Sequence, residues 1–135
     1  MRDGLLEINE VTGVAGSLLC SNQGEIFESG VLPPELDQNT LDNICQQAIE
    51  LLGVTQTSLP EMREYVLYFS GKKIFIQDLE RVILVVFCDA SVDITLLRMS
   101  INIVNLRWSS DSIINMKFAK FANDRVIPRK IAPHK

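Results

Sequence analysis

The first part of the chain carries an apolar pattern that predicts a short helix followed by a β-hairpin. Residues 3–11 place apolar side chains on one face at helical spacing. Residues 13–20 are small and apolar, residues 21–24 read Ser-Asn-Gln-Gly, and residues 25–29 form a second β-prone run. Gly24 suits the positive φ that a tight turn requires, so this segment is expected to fold as a hairpin.

The clearest helical pattern lies between residues 39 and 53. Its apolar side chains cover about 160° of the helix circumference. They are Leu41, Ile44, Cys45, Ala48, Ile49, Leu51 and Leu52. Asn39 or Thr40 can cap the start of this helix, and Gly53 can end it. A stripe this wide predicts a helix that rests on a sheet and offers an edge to a second helix.

A second hairpin and a central strand follow. Residues 65–69 and 74–76 are β-prone runs that flank the turn sequence Ser-Gly-Lys-Lys at residues 70–73. Residues 81–89, RVILVVFCD, are apolar at successive positions. A strand that is apolar on both faces belongs in the middle of a sheet that is covered on both sides.

The third predicted helix, residues 93–108 with Ser91 or Asp93 as its cap, has two apolar stripes. The first consists of Ile94, Leu97, Ile101, Val104 and Trp108. The second consists of Leu96, Met99, Ile103 and Leu106, centred roughly 160° away on a helical wheel. One stripe can face the sheet. The other requires a cover, which is expected from the first helix, although the C-terminal tail or another chain would also serve.

The last segment, residues 109–135, allows two interpretations. Ile114, Phe118 and Phe121 fit helical spacing, whereas Ile114, Met116 and Phe118 fit strand alternation. The prolines beyond residue 127 predict an extended end. If this tail is helical, its apolar side chains are expected to dock on the second stripe of the third helix.

The net charge of residues 1–108 differs in sign from that of residues 109–135. Of its 135 residues, 47% are hydrophobic, which predicts one globular domain. Residues 1–108 hold seven basic and fifteen acidic residues, a net charge of −8, whereas residues 109–135 hold six basic and two acidic, a net of +4. An acidic body argues against nucleic-acid binding. No apolar run is long enough to cross a membrane and no secretory signal is evident, so a cytoplasmic protein is expected.

Residues that would support catalysis are sparse. Cys20, Cys45 and Cys88 lie in apolar segments without metal-ligand spacing, which predicts buried, reduced thiols. The only histidine, His134, lies near the C-terminus, and no phosphate-binding P-loop motif occurs. The sequence therefore predicts no catalytic residues, no metal site and no cofactor.

The order helix, strand, strand, helix, three strands, helix, together with LEINEVTGVAGSLLCSNQGEIFES at residues 6–29, resembles the Roadblock family. That family includes dynein light chains, Ragulator subunits and MglB-like regulators of Ras-like GTPases. The resemblance rests on ΦxxxxGVxGxLLxxxxGxΦ, with Φ an apolar residue, from Ile8 to Ile26, and on the central strand before the third helix. The chain departs from the pattern at residues 20–24, where members often carry an acidic residue, and in its tail.

The resemblance implies an α+β sandwich of profilin/longin type for residues 1–108, with residues 109–135 as a basic extension. Its five-stranded antiparallel sheet would have the order 2-1-5-4-3, with the second helix on one face and the other two on the opposite face. The third strand would lie at an edge where two protomers pair. The implied dimer-interface residues are Tyr65, Val66, Leu67, Tyr68, Phe69 and Ser70.

The resemblance also implies a non-catalytic homodimer that binds a small Ras-like GTPase and modulates its GTP hydrolysis. The partner-binding residues expected on the second helix are Asp42, Gln46, Ile49 and Glu50. MglB-like regulators remodel the switch regions of the GTPase and need no inserted arginine. Structural or solvent-facing roles are accordingly expected for Arg63, Arg81, Arg98 and Arg107. An assembly scaffold without effect on nucleotide turnover is the alternative, and a small-ligand sensor is a third possibility.

Overall fold

The computed structural model describes residues 1–58 and 63–120, in which helices and strands follow the predicted order. The elements are α1 (Arg2–Asn9), β1 (Val14–Cys20), β2 (Ile26–Ser29), α2 (Gln38–Ser58), β3 (Glu64–Phe69), β4 (Lys72–Asp78), β5 (Ile83–Asp89) and α3 (Ile94–Ser110). Residues 112–120 form one more helical segment, α4.

The five strands form one antiparallel sheet in the order β2-β1-β5-β4-β3, which confirms the predicted topology. β5 is the central strand: Val85 lies opposite Leu18 of β1 on one side and Ile76 of β4 on the other. β2 and β3 are the two edge strands.

Alternate residues of β5 supply the two layers of the core, as its uninterrupted apolar run predicts. Leu84 and Val86 face the layer covered by α1 and α3, whereas Val85 and Phe87 face α2. In the first layer they meet Leu5, Ile8, Leu97, Ile101, Val104 and Trp108. In the second they meet Leu41, Cys45, Ala48 and Leu52. The predicted arrangement of one helix on one face and two on the other is confirmed, and α4 adds to the α1/α3 side through Phe118.

The turns follow from their sequences. Gly24, in the β1–β2 turn, has φ of 85°, as predicted. Ser70 and Gly71 join β3 to β4 with φ of 50° and 72°. Positive φ at both positions of a two-residue loop is the type I′ geometry, whose twist matches that of the flanking strands.

The ends of α2 differ from the prediction. The helix begins at Gln38, and the Oδ1 of Asp37 accepts a hydrogen bond from the backbone N–H of Thr40 at 2.8 Å, so neither predicted cap is the residue used. Gly53 does not end the helix, which continues to Ser58. A glycine in a helix interior costs only about 0.5–1 kcal/mol relative to alanine, which is too little to end the helix by itself. At α3 the predicted cap Asp93 is confirmed, since its Oδ1 accepts from two backbone N–H groups.

The segment after α3 resolves as helix rather than strand over residues 112–120. Phe118 is buried, and its ring lies edge-on to Trp108 at a centroid distance of 6.0 Å and to Phe27 at 5.8 Å. Ile114 packs against the same core layer. The expected docking on the second stripe of α3 is therefore wrong for these residues: the aromatic pocket at Trp108 is where they bind. Phe121 and the basic and proline residues that follow lie outside the described residues.

The second stripe of α3, named here the outer stripe, comprises Leu96, Met99, Ile103 and Leu106. Its side chains are between 54% and 69% exposed, so the expected cover by the first helix is wrong. α1 has only eight residues and approaches α3 on its buried side, where Gly4 lies against Val104 and Trp108. No described residue buries the outer stripe.

Candidate functional site

The four residues predicted to bind a partner share one side of α2, named here the α2 surface: Asp42, Gln46, Ile49 and Glu50. At 3.6 residues per turn, their positions fall within about 100° of the helix circumference. Asp42, Gln46 and Glu50 are exposed, whereas Ile49 is half-buried against the α2 layer of the core. α2 contains two acidic residues and no basic residue, so this surface is acidic.

Gln46 is held in place by the first hairpin. Its Nε2 donates a hydrogen bond to the backbone oxygen of Gln23 at 3.0 Å. Gly24 lies directly beneath it, since a Cβ built there would collide with that nitrogen. Asp42 has a local contact only, accepting from the Nε2 of Gln38 at 3.0 Å. The β1–β2 turn therefore fixes the middle of the α2 surface, a role for the hairpin that the sequence did not indicate.

Ile49 also borders a cavity of about 260 Å³ at the end of the sheet where β5 begins. The cavity lies between α2, the β1–β2 turn and the β4–β5 loop, and its polar lining includes Asn22, Asp78, Glu80 and Arg81. This end of the α2 surface therefore offers a recess, whereas the Asp42 end is exposed helix.

The predicted dimer strand β3 forms an edge of the sheet. Tyr65 and Leu67 contact the α2 layer of the core and Val66 contacts the opposite layer. Tyr68 is 70% exposed, with the Nζ of Lys73 5.5 Å from its ring centroid. Within the described residues, β3 pairs only with β4 and its outer edge has no strand partner.

Two of the four arginines, Arg98 and Arg107, each form an ion pair with one carboxylate. The Nε of Arg98 donates to both carboxylate oxygens of Glu64, at 3.1 and 3.0 Å, and this contact raises the pKa of Arg98. Arg107 donates to Glu7 at 2.6 and 2.8 Å. Hydrogen bonding to Arg107 lowers the pKa of the Glu7 carboxyl.

The other two arginines are engaged at the β4–β5 loop. The Nη1 of Arg63 lies 3.5 Å from the Oε2 of Glu80 and 3.8 Å from the Oδ2 of Asp78. Arg81 donates to the Oδ1 of Asn115 and lies over the ring of Phe118 at 5.8 Å. All four side chains have partners within the chain.

The three cysteines are buried and free. Burial raises the pKa of Cys88 to about 11, and Asp89 adds to the shift. Hydrogen bonding with Cys45, together with burial, raises the pKa of Cys20. Across the described residues, no group of three or more histidine, cysteine or carboxylate side chains could hold a metal ion. None of the helices in that part of the chain is long and apolar enough to cross a membrane.

No protein-family model and no curated protein sequence matches the chain. Solved structures do. A Roadblock/LC7 domain from Streptomyces avermitilis superposes with a TM-score of 0.62 at 15% identity, covering 75% of this chain and 87% of that one. Myxococcus xanthus MglB gives 0.66 at 12% identity, covering 77% and 87%. The gliding protein MglB of Thermus thermophilus gives 0.65 at 15% identity, covering 90% and 87%.

The chain has the Roadblock/LC7 fold. The resemblance found in the sequence is confirmed at this level. Within this Roadblock fold, β3 and α2 are in direct contact, because the hydroxyl of Tyr65 in β3 donates to the backbone oxygen of Leu51 in α2 at 3.4 Å.

Proposed function

We propose that this chain is a homodimeric Roadblock module that binds a small Ras-like GTPase on its α2 surface and modulates GTP hydrolysis without contributing a catalytic group. The observation that carries the proposal is an open edge strand, β3, that contacts α2, a helix whose outward face is exposed and acidic. The chain would act in the cytoplasm, which agrees with its three free cysteines.

Dimerisation is supported by the character of β3. Six residues at about 3.3 Å each give an edge near 20 Å long. A strand of this length that presents unpaired N–H and C=O groups invites pairing with another chain. Pairing of two β3 strands would continue the sheet and place two α2 surfaces side by side. One structural relative, an MglB at 17% identity and TM-score 0.65, is described as having a tetrameric arrangement.

Binding through α2 is supported by its charge and by its fixed shape. Asp42 and Glu50 are exposed and stand two turns apart on a helix that is held at Gln46. Two such helices would form an acidic platform that attracts a basic patch of a partner. Such a platform would contact the outside of a GTPase without entering the nucleotide pocket.

An arginine inserted in trans is not part of the proposal. Such an arginine typically accelerates hydrolysis by about 10³–10⁵-fold and must project freely toward the nucleotide. Arg98 and Arg107 lie on α3, behind the sheet as seen from α2, and each is paired with a carboxylate. Modulation would instead act through the conformation of the GTPase itself.

The binding test is a titration of a Ras-like GTPase from the same organism, loaded with a non-hydrolysable GTP analogue. Changing Asp42→Lys and Glu50→Lys together reverses the charge of the α2 surface and is expected to weaken binding at least tenfold. Gln47→Lys is the matched control, because it adds a lysine to an exposed position of the same helix outside that surface. If the charge-reversed variant and the Gln47→Lys control bind the GTPase with equal affinity, the α2 assignment is refuted.

Hydrolysis distinguishes a regulator from a scaffold. Stimulated turnover that survives Arg63→Ala and Arg81→Ala within about threefold supports the proposal, whereas loss by a factor near 10³ in one variant indicates an arginine finger. Binding with unchanged turnover supports the scaffold alternative. Light scattering tests the dimer separately: the wild type is expected to be dimeric at micromolar concentration, and Tyr68→Asp to shift it toward monomer. A monomeric wild type contradicts the β3 assignment.

A further inference from the structure

The outer stripe is the exposed apolar face of α3, and none of the residues that the structure describes packs over it. Leu96, Met99, Ile103 and Leu106 are each more than half exposed. The stripe lies on the α1/α3 side of the sheet, away from the α2 surface. The core on its own side is already complete, since Leu97, Ile101, Val104 and Trp108 are buried on the other flank of α3.

The spacing of the stripe specifies the shape of its occupant. Residues 96, 99, 103 and 106 follow each other at intervals of three, four and three, the heptad pattern of a coiled-coil seam. A strict seam of this kind is narrower than the stripe with which a helix rests on a sheet. It fits one further helix crossing at a shallow angle.

The order of side chains along the stripe is self-complementary. Leu96 and Leu106 lie five residues before and after Ile101, and Met99 and Ile103 lie two residues before and after it. If a second α3 packs antiparallel across a two-fold axis at residue 101, leucine meets leucine and methionine meets isoleucine. A two-fold interface requires this kind of self-matching surface.

The flanks of the stripe favour the same arrangement. Thr95, Ser100 and Asn102 border the stripe and carry no charge, so they neither select a charged partner nor repel a second copy. Arg107 is the charged residue on the border, and it is neutralised by Glu7. In the antiparallel register the two Arg107 side chains lie twelve residues apart along the axis, about 18 Å at 1.5 Å per residue. In a parallel register they would face each other.

We infer that the outer stripe of α3 is a second self-association surface, which pairs with the α3 of another copy in antiparallel orientation. Four side chains that are each more than half exposed supply well under the about 800 Å² per partner that standard interfaces bury, so this contact alone is weak and concentration-dependent. It is independent of the β3 edge and of any GTPase, and it would join β3-linked dimers to one another.

Site-specific cross-linking tests the register directly. Asn102→Cys places two thiols about 3 Å apart along the axis of the antiparallel pair, whereas Thr95→Cys places them about 18 Å apart on the same border. Both positions are exposed, and the native cysteines are buried. With a short bismaleimide and the full chain at tens of micromolar, Asn102→Cys is expected to give a covalent dimer and Thr95→Cys at least tenfold less.

A charge in the stripe provides the second measurement. Adding Met99→Glu to Asn102→Cys is expected to lower the cross-linked fraction at least tenfold. Adding Met116→Glu, at a methionine of α4 that is 70% exposed outside the stripe, is expected to leave it unchanged. Equal linkage at residues 95 and 102 would show a parallel pairing and overturn the inference. No linkage at residue 102 would overturn it as well and would leave the stripe to another segment of the chain or to a foreign helix.

Discussion

Removing the Phe118 ring tests whether α4 is part of the folded domain. The ring is buried between Trp108 of α3 and Phe27 of β2, and the guanidinium of Arg81 lies over it. Phe118→Ala leaves these partners in place and deletes the one side chain that α4 contributes to the buried core. The loss of stability therefore measures the docking of α4.

The expected loss is about 3–4 kcal/mol. Burying a phenylalanine side chain contributes about 1.5–3 kcal/mol. Each edge-on aromatic pair adds about 0.5–1.5 kcal/mol beyond the buried area. Because α4 lies at the periphery, the space left by the ring opens to solvent rather than remaining an empty cavity. The expected loss therefore falls toward the lower end of the roughly 3–5 kcal/mol observed for core Phe→Ala changes.

Urea denaturation followed by tryptophan fluorescence is the appropriate assay, because Trp108, the only tryptophan, contacts the deleted ring. With a denaturant dependence near 1.5 kcal/mol per molar urea, the midpoint should fall by about 2 M. Met116→Ala is the control on the same helix: Met116 is 70% exposed and should change stability by less than about 0.5 kcal/mol. Both variants are compared at one protein concentration, since self-association adds to stability. If Phe118→Ala unfolds at the same urea concentration as Met116→Ala, α4 is not docked and the reasoning is refuted.

Three further outcomes follow from individual contacts. Arg107 lowers the pKa of Glu7, so the ion pair stabilises the fold fully above the unfolded-state pKa of about 4.3, and this stabilisation is lost as pH falls through the folded-state pKa. The difference in Tm between wild type and Glu7→Gln should therefore be larger at pH 7 than at pH 3. A Tm difference that does not change with pH would contradict this. Gly16→Ala should destabilise by about 1–3 kcal/mol, because its Cβ would lie 2.6 Å from the Cδ of Pro33. Gly53→Ala should stabilise α2 by roughly 0.5–1 kcal/mol, because a Cβ there would meet no atom of another part of the described structure within 4 Å. A change of the same sign in both variants would show that the space around the Cβ does not determine the effect on stability. A chromogenic disulfide at pH 8 should titrate all three cysteines only in denaturant, since each is buried; rapid reaction of one thiol in native buffer would disprove that burial.

The sheet could be predicted from the sequence because its central strand has one possible environment. Seven consecutive buried residues, Val82 to Cys88, have no polar face and must be covered on both sides. The two hairpins follow from local turn chemistry, at Gly24 and at Ser70-Gly71. The strand order was less accessible: it came from the resemblance to a known family, since local patterns do not state which strands are neighbours.

The errors arise where a local signal is weak or where tertiary contacts decide the conformation. Gly53 favours a helix end only weakly, by about 0.5–1 kcal/mol relative to alanine, and α2 passes through it to Ser58. The tail fitted helix and strand equally well, and contact with Trp108 is what favours the helix. The partners of the arginines were also out of reach, because Arg98 and Glu64 are 34 residues apart in sequence and Arg107 and Glu7 are 100 apart.

The candidate site shows the same division between local and tertiary information. Helical spacing placed Asp42, Gln46, Ile49 and Glu50 on one side of α2, and in the structure they lie there. Spacing did not reveal that Gln46 is tied to the β1–β2 turn, which makes it a poor position for a binding test. A change such as Gln46→Arg would disturb that turn as well as the surface. Asp42 and Glu50 are the better positions for a binding test, because both side chains are exposed.

Two of the three surfaces proposed for this protein, the α2 surface and the outer stripe, lie on opposite faces of one sheet. The α2 surface lies over the layer built from Leu18, Val85 and Phe87, and the outer stripe belongs to α3, which covers the other layer. A helix layer, the sheet and a second helix layer therefore separate the two. Since sheets and helices pack about 10 Å apart, a GTPase on α2 and a second copy on α3 would not compete for space. The open β3 edge lies between these faces and remains accessible from the side, so all three contacts can be made at once. A protein that acts only by binding at such surfaces requires no catalytic group of its own. It requires a sheet rigid enough to hold the helix layers on its two faces apart.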